Sequence, residues 1–197
     1  MIIAAKNAEG RGDINFALSM ANIDGYYYKP RIDLELLFNI PKDNVIVTSA
    51  CVAGWNYENA EDIWLKVHKY FGDNFFLEVQ YHNTDKQKEL NKKILRIAKE
   101  HNICGLDSHY VKDENSIKRD QILKYKNINY PDEEGWYLDY PDTKTVIKRF
   151  EEQGILNREE IYKAIMNTNV FVSECEEIVL DRKFKIPSVY MFYPYKH

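Results

Sequence analysis

The sequence is poor in cysteine: three in 197 residues, none in a C-x-x-C pair. That excludes a disulfide framework and reads as free thiols in a reducing compartment, with one thiol available as a metal ligand. No apolar run approaches the ~18 residues that span a bilayer. The start, Met1-Ile2-Ile3-Ala4-Ala5-Lys6, lacks the basic n-region and long apolar stretch of a signal peptide, so the cytoplasm is the expected compartment. An excess of positive charge is absent too: 27 Lys and Arg stand against 31 Asp and Glu, a formal net charge of −4. That argues against a general nucleic-acid coat while leaving room for a local groove. No G-x-G-x-x-G or GxxxxGK[ST] phosphate loop occurs, and no G-x-S-x-G elbow. Low-complexity tracts and strict repeats are missing as well.

What is present describes a globular domain. The chain is 45% apolar and 29% charged, with 15 Tyr, 9 Phe and 3 Trp to fill a core. A chain of this length buries roughly 70% of its unfolded surface.

Short β-branched runs alternate with amphipathic stretches. Ile2-Ile3-Ala4-Ala5 is an apolar run closed by the turn Asn7-Ala8-Glu9-Gly10, and Asp13 reads as a helix start with Ile14, Ala17, Leu18 and Ala21 at helical spacing. Residues 34–38 form a short helix closed by Pro41. Three strand-then-helix units follow, with strands expected at 45–48, 75–80 and 103–107. Gly72 suits the position past one helix, and Thr84 or Asp85 suits the cap of the next. A helix is expected over about 116–126, and residues 136–140 read as strand or loop between Pro131 and Pro141. Asn157-Arg158-Glu159-Glu160 has the form of a capping box, and Asn167 or Thr168 reads as the cap of a last helix. From Arg182 the chain reads as extended. Alternating β and α elements predict a mostly parallel sheet, barrel or open, whose active sites lie at the C-terminal strand ends.

Each of the three strands ends in a metal-type ligand: Cys51, then His82, then Asp107 with His109. If the strands are parallel these ends share one rim, and the mixed sulfur, nitrogen and oxygen set suits Zn²⁺ while tolerating Mn²⁺. Taken singly, Cys51 also reads as a small buried residue and His82 as a structural hydrogen-bonding group. No catalytic residue is assigned. His68, His101 and His197 read as bland, and Cys104 and Cys175 as packing residues.

Two weaker signals concern nucleic acid. Lys88, Lys92, Arg96 and Lys99 make a basic stripe on one helix, which also reads as an ordinary solvated face. Tyr26-Tyr27-Tyr28 beside Lys29 and Arg31 mixes aromatics with cations, which can stack bases and bind phosphate. Tyr28, Lys29 and Arg31 are therefore candidate contacts, although the same composition also makes an ordinary packed loop.

Four motifs in order resemble one family. Gly25-Tyr26-Tyr27-Tyr28-Lys29-Pro30-Arg31-Ile32-Asp33 resembles the GFYYKPRID loop of the polymerase and histidinol phosphatase (PHP) domain in bacterial replicative DNA polymerase III alpha subunits. Ser49-Ala50-Cys51-Val52-Ala53-Gly54 is similar to its SACLAG turn, Phe76-Leu77-Glu78-Val79-Gln80-Tyr81-His82 to its FxLELQxH strand, and Leu106-Asp107-Ser108-His109-Tyr110 to its TNDVHY motif. The turn at Asn7 resembles the family's AKNEEGY start, and the stretch at Glu134-Gly135-Trp136 resembles alpha subunits of phages and prophages.

The resemblance implies an α/β fold: an incomplete, distorted (β/α)7 PHP barrel with mostly parallel strands and a helical C-terminal part. It implies a truncated PHP-like domain over 1–182 followed by an extended tail over 183–197. It implies Cys51, His82, Asp107 and His109 as ligands for one or two Zn²⁺ or Mn²⁺ ions. Metal-dependent phosphoesterase or 3′–5′ exonuclease activity on DNA follows if the site works, and a non-enzymatic scaffold if it has decayed. The family's H-x-H motif occurs nowhere in this sequence, and neither do the polymerase modules, so polymerisation is not expected of this chain alone. The expected partners are DNA, a polymerase core or replisome proteins, and a second copy pairing through open sheet edges. No membrane is expected.

Overall fold

The computed structural model describes residues 1–55, 59–97, 102–177, 179 and 183. The expected 183–197 tail therefore lies almost wholly outside the described residues. Among the described residues four strands form one sheet in the order β1 (Ile2–Ala5), β2 (Val45–Thr48), β3 (Phe75–Val79) and β4 (Asn102–Cys104). β1 is antiparallel to β2, with Ile2 opposite Thr48 and Ala5 opposite Val45. β2–β3 and β3–β4 are parallel, with Val47 opposite Phe75 and Glu78 opposite Ile103. The expectation of a mostly parallel α/β sheet holds, and among the described residues the sheet is open rather than closed into a barrel.

Seven α-helices accompany the described strands: α1 (Ala8–Ile23), α2 (Leu34–Phe38), α3 (Ala60–Phe71), α4 (Asp85–Ile97), α5 (Ser116–Tyr125), α6 (Thr143–Gln153) and α7 (Arg158–Ser173). The two faces of the sheet are filled unequally. Val45, Val47, Phe75, Leu77 and Val79 join the large core with Trp64, Val67 and Phe71 of α3, Leu90 and Ile94 of α4, and Phe150 and Ile161 of α6 and α7. Burying each of these large side chains contributes on the order of 1.5–3 kcal/mol. Alternate residues Ile46, Phe76 and Ile103 point to the other face, where Phe171 near the C-terminal end of α7 and Cys175 just beyond that helix pack against them.

The first helix starts earlier than its sequence suggests. Asn7, not Asp13, is the cap: its side chain accepts the Gly10 N–H at 2.8 Å, so the expected turn is the first turn of α1. Gly10 is there because the helix crosses β2's entry at close range, and a Cβ would collide with the Asn44 carbonyl. Asn44 also accepts the Lys6 N–H at 2.8 Å and donates to Asp13 at 3.1 Å, tying β1, α1 and β2 together.

The expected break near Thr168 is absent. The Thr168 hydroxyl bonds back to the Ala164 carbonyl at 3.4 Å and α7 runs on to Ser173. Local signals behaved as read elsewhere. Asn157 and Glu160 form the reciprocal capping box of α7, Gly72 follows α3, and Thr84 accepts the Gln87 N–H at 3.3 Å at the start of α4. Residues 136–140 are irregular rather than a strand.

Candidate functional site

The chain leaves β2 through a tight corner. Ala50 sits at φ 57°, and Gly54 N–H donates to the Cys51 carbonyl at 3.0 Å. Cys51 in this corner is a half-buried free thiol. The corner is pinned to β3: Ser49 N–H donates to the Phe76 carbonyl at 3.1 Å, and the Ser49 hydroxyl accepts the Glu78 N–H at 2.9 Å.

Glu78 is a buried carboxyl between these strands. The Thr48 hydroxyl donates to its Oε1. The backbone of Gly105 lies so close that a Cβ there would collide with Oε2. Burial raises the Glu78 pKa, opposed by the hydrogen bonds from Thr48 and Ala50 and assisted by the charge of Asp107.

His82 follows β3 and is 1% exposed. Its ring stacks on Trp136 with centroids 4.7 Å apart. Its Nδ1 accepts the Tyr137 backbone N–H at 3.0 Å, and its carbonyl accepts Gln153 Nε2 at 2.7 Å. Burial lowers its pKa to about 4, with Asp107 opposing and Arg149 and His109 adding to the shift. A neutral imidazole carries one proton; with Nδ1 accepting, that proton sits on Nε2. Nε2 is buried without a hydrogen-bond partner among the described residues.

Asp107 and His109 follow β4 and face each other, Oδ1 to Nε2 at 3.4 Å. The 136–140 segment straps across them. Leu138 carbonyl accepts the His109 and Tyr110 N–H groups at 2.7 and 3.2 Å, and Asp139 carbonyl accepts the Ser108 hydroxyl at 2.8 Å. Arg149 of α6 anchors the strap through a paired contact to Asp139 at 2.7 and 2.9 Å, with its guanidinium 4.2 Å from the Tyr137 ring centre.

Below the strap lies a buried amide network. Asn91 donates to the Gln80 carbonyl and to Gln153 Oε1, both at 2.8 Å, and accepts from Gln87 Nε2 at 2.9 Å. Arg149 and Gln153 stand four apart on α6, so one face of that helix serves both strap and network. Their i, i+4 spacing on an otherwise amphipathic helix is the signal that could have singled them out.

Of the four sequence-expected ligands, the structure brings Asp107 and His109 into contact and places His82 in their electrostatic neighbourhood. Among the described residues no group of three or more His, Cys, Asp or Glu side chains is placed to hold one ion. The donor chemistry agrees. Metal-bound histidines ordinarily donate one ring N–H to an acceptor and turn the other lone pair to the ion. In His82 the polarity is reversed, since Nδ1 is occupied as an acceptor and Nε2 bears the proton. As arranged, the set does not fit an ion.

The other candidates lie elsewhere. Tyr28, Lys29 and Arg31 are exposed on the loop between α1 and α2. On α4, Arg96 pairs with Glu61 at 3.0 Å, which neutralises part of the basic stripe, while Lys99 lies outside the described residues.

The candidate residues lie beyond the ends of β2, β3 and β4 on an α/β sheet, and residues 1–82 match the PHP domain family. Over more of its length the chain is similar to DNA polymerase III alpha subunits. It is 34% identical to that of Treponema pallidum over 140 residues, 62% of this chain and 12% of the relative. It is 31% identical to that of Borreliella burgdorferi over 134 residues, again 62% and 12%. It is 28% identical to that of Campylobacter jejuni over 199 residues, 89% and 16%. The chain spans about an eighth to a sixth of the length of these curated relatives.

Proposed function

We propose that this chain is the PHP region of a replicative DNA polymerase III alpha subunit, acts in DNA replication, and braces that assembly without a working ion site. The similarity to alpha subunits supports the first part. One observation carries the second: the Tyr137 N–H on His82 Nδ1, which turns the central strand-end histidine into an internal strut. The order β2-β3-β4, each strand parallel to the next without reversal, is how a (β/α) barrel is built, so the open sheet is read as part of a PHP barrel. The partners are then polymerase or replisome proteins in the cytoplasm, and β1 offers an edge for pairing with another strand. No helix among the described residues is long and apolar enough to cross a membrane.

The Asp107–His109 contact favours a second reading, in which Cys51, His82, Asp107 and His109 bind Zn²⁺ or Mn²⁺ and the domain hydrolyses phosphodiesters from DNA 3′ ends. Metal content of the purified chain separates the two, measured beside a Cys51→Ala, Asp107→Ala double variant. Bracing predicts no stoichiometric ion in either protein and no digestion of a 3′-labelled primer with added Mn²⁺. A stoichiometric ion lost in the variant, with primer digestion by the wild type, would establish the nuclease instead.

A further inference from the structure

Three consecutive tyrosines stand in solvent between α1 and α2. Tyr26, Tyr27 and Tyr28 are 60%, 65% and 81% exposed, so the loop is not packed away. It is nonetheless built. Arg31 N–H donates to the Gly25 carbonyl at 3.1 Å and Tyr27 N–H to the Lys29 carbonyl at 3.1 Å. Arg31 Nε reaches the Tyr27 carbonyl at 3.3 Å. The Tyr27 and Tyr28 rings meet edge to face at 4.6 Å, and the Arg31 guanidinium lies 5.4 Å from the Tyr27 ring centre. Tyr28 is held at φ 58°, a left-handed conformation that is costly for a bulky residue, on the order of 1–3 kcal/mol. Beside Arg31 runs an open groove of about 480 Å³ bordered by Met20, Ile32 and Leu36 but also by the carboxylates of Asp24, Asp33 and Glu35, so the rings rather than the groove are the place for a nucleic acid.

We propose that this loop is a stacking platform for single-stranded nucleic acid, with bases on Tyr27 and Tyr28 and phosphates on Lys29 and Arg31. Exposed π-faces beside cations are the recurrent chemistry of sequence-tolerant single-strand binding. The platform is not an electrostatic trap. Asp24, Asp33 and Glu35 flank it, and Asp33 is engaged in capping α2 through the Leu36 N–H at 2.8 Å. Binding is therefore carried by stacking and is modest in strength. This inference is independent of whether the strand-end site holds an ion.

The test is fluorescence anisotropy of a labelled oligo-dT with the full chain, in wild type and in Tyr27→Ala/Tyr28→Ala, Tyr28→Phe and Lys88→Ala/Lys92→Ala variants. Circular dichroism melting checks that each variant folds. The tyrosine pair should weaken binding about ten-fold or more, since stacking is worth ~1–3 kcal/mol per base. Tyr28→Phe should stay within about two-fold, because the ring face rather than the hydroxyl does the binding, and the α4 lysines should not matter. The log–log salt slope should be about −1.4, for two phosphates on a single strand. No binding by the wild type, or binding indifferent to the tyrosines, would overturn the platform and leave the rings to a protein partner.

Discussion

The Tyr137 backbone N–H meets Nδ1 of His82 at 3.0 Å across 55 residues of sequence. The bond makes the imidazole an acceptor on one side and a buried donor on the other. Nitrogen NMR at pH 7 should accordingly show His82 as the neutral Nε2–H tautomer. Protonation is opposed chiefly by burial, which holds the folded pKa near 4 against an ordinary value of 6.5. The unfolded chain therefore takes up this proton first on acidification. The His82 contribution to stability is whole above about pH 6.5 and is lost as pH falls toward 4, by on the order of 3 kcal/mol. Urea unfolding across this window should show a shallower acid loss in His82→Gln, which keeps an acceptor for Tyr137 but does not titrate. An identical acid slope in both proteins would refute the assignment.

Arg149 gives a second handle on the strap. Its two contacts to Asp139 are largely shielded from water, the side chains being 15% and 14% exposed. Lysine cannot reproduce the planar pair or lie flat over Tyr137. Arg149→Lys should cost about 1–3 kcal/mol and loosen Trp136, raising its accessibility to an iodide quencher. Unchanged quenching with unchanged stability would mean that the strap is held elsewhere.

How much of this was legible in the sequence follows the range of the interactions. β2 (Val45–Thr48), α2 (Leu34–Phe38) and the Asn157 capping box were readable because their causes lie within a few residues. The start of α1 was misplaced because Gly10 reads locally as a breaker, whereas its role is a close approach to Asn44, 34 positions on. Thr168 reads as a cap, but its hydroxyl is satisfied inside the helix. The strand-end residues Cys51, His82, Asp107 and His109 were visible by type and order. Their state was not, since it depends on where the Tyr137 amide and the Arg149–Asp139 pair fall after folding.

Gly10 supplies a packing prediction. Alanine is ordinarily the better helix former by roughly 1 kcal/mol, so propensity alone predicts that Gly10→Ala stabilises α1. The Cβ, however, would press on the Asn44 carbonyl, backbone fixed by its bond from Lys6 at 2.8 Å. Overpacking should dominate, with a net loss of about 1–3 kcal/mol. Gly12 has open space at its Cβ position, so Gly12→Ala should move stability the other way. Thermal melts of the two variants decide it, and a gain in both would show that the Asn44 contact yields.

Glu78 closes the electrostatic argument, because its sign is opposite to that of His82. Burial raises its pKa above the ordinary 4.5, so the folded state holds this proton more tightly than the unfolded chain does. The benefit is present below about pH 4.5 and is lost as pH rises through the folded value. At neutral pH the carboxyl is therefore a net cost that the Thr48 hydroxyl only partly offsets. Glu78→Gln keeps an oxygen for Thr48 and removes the ionisation. It should stabilise the chain by about 1 kcal/mol at pH 7–8, roughly 2–4 °C in Tm for a protein of this size, and by less at pH 4. The pH dependence is the decisive readout, since a gain from better packing would be the same at every pH. A variant less stable than wild type at pH 8 would mean that the charged carboxylate is needed where it stands.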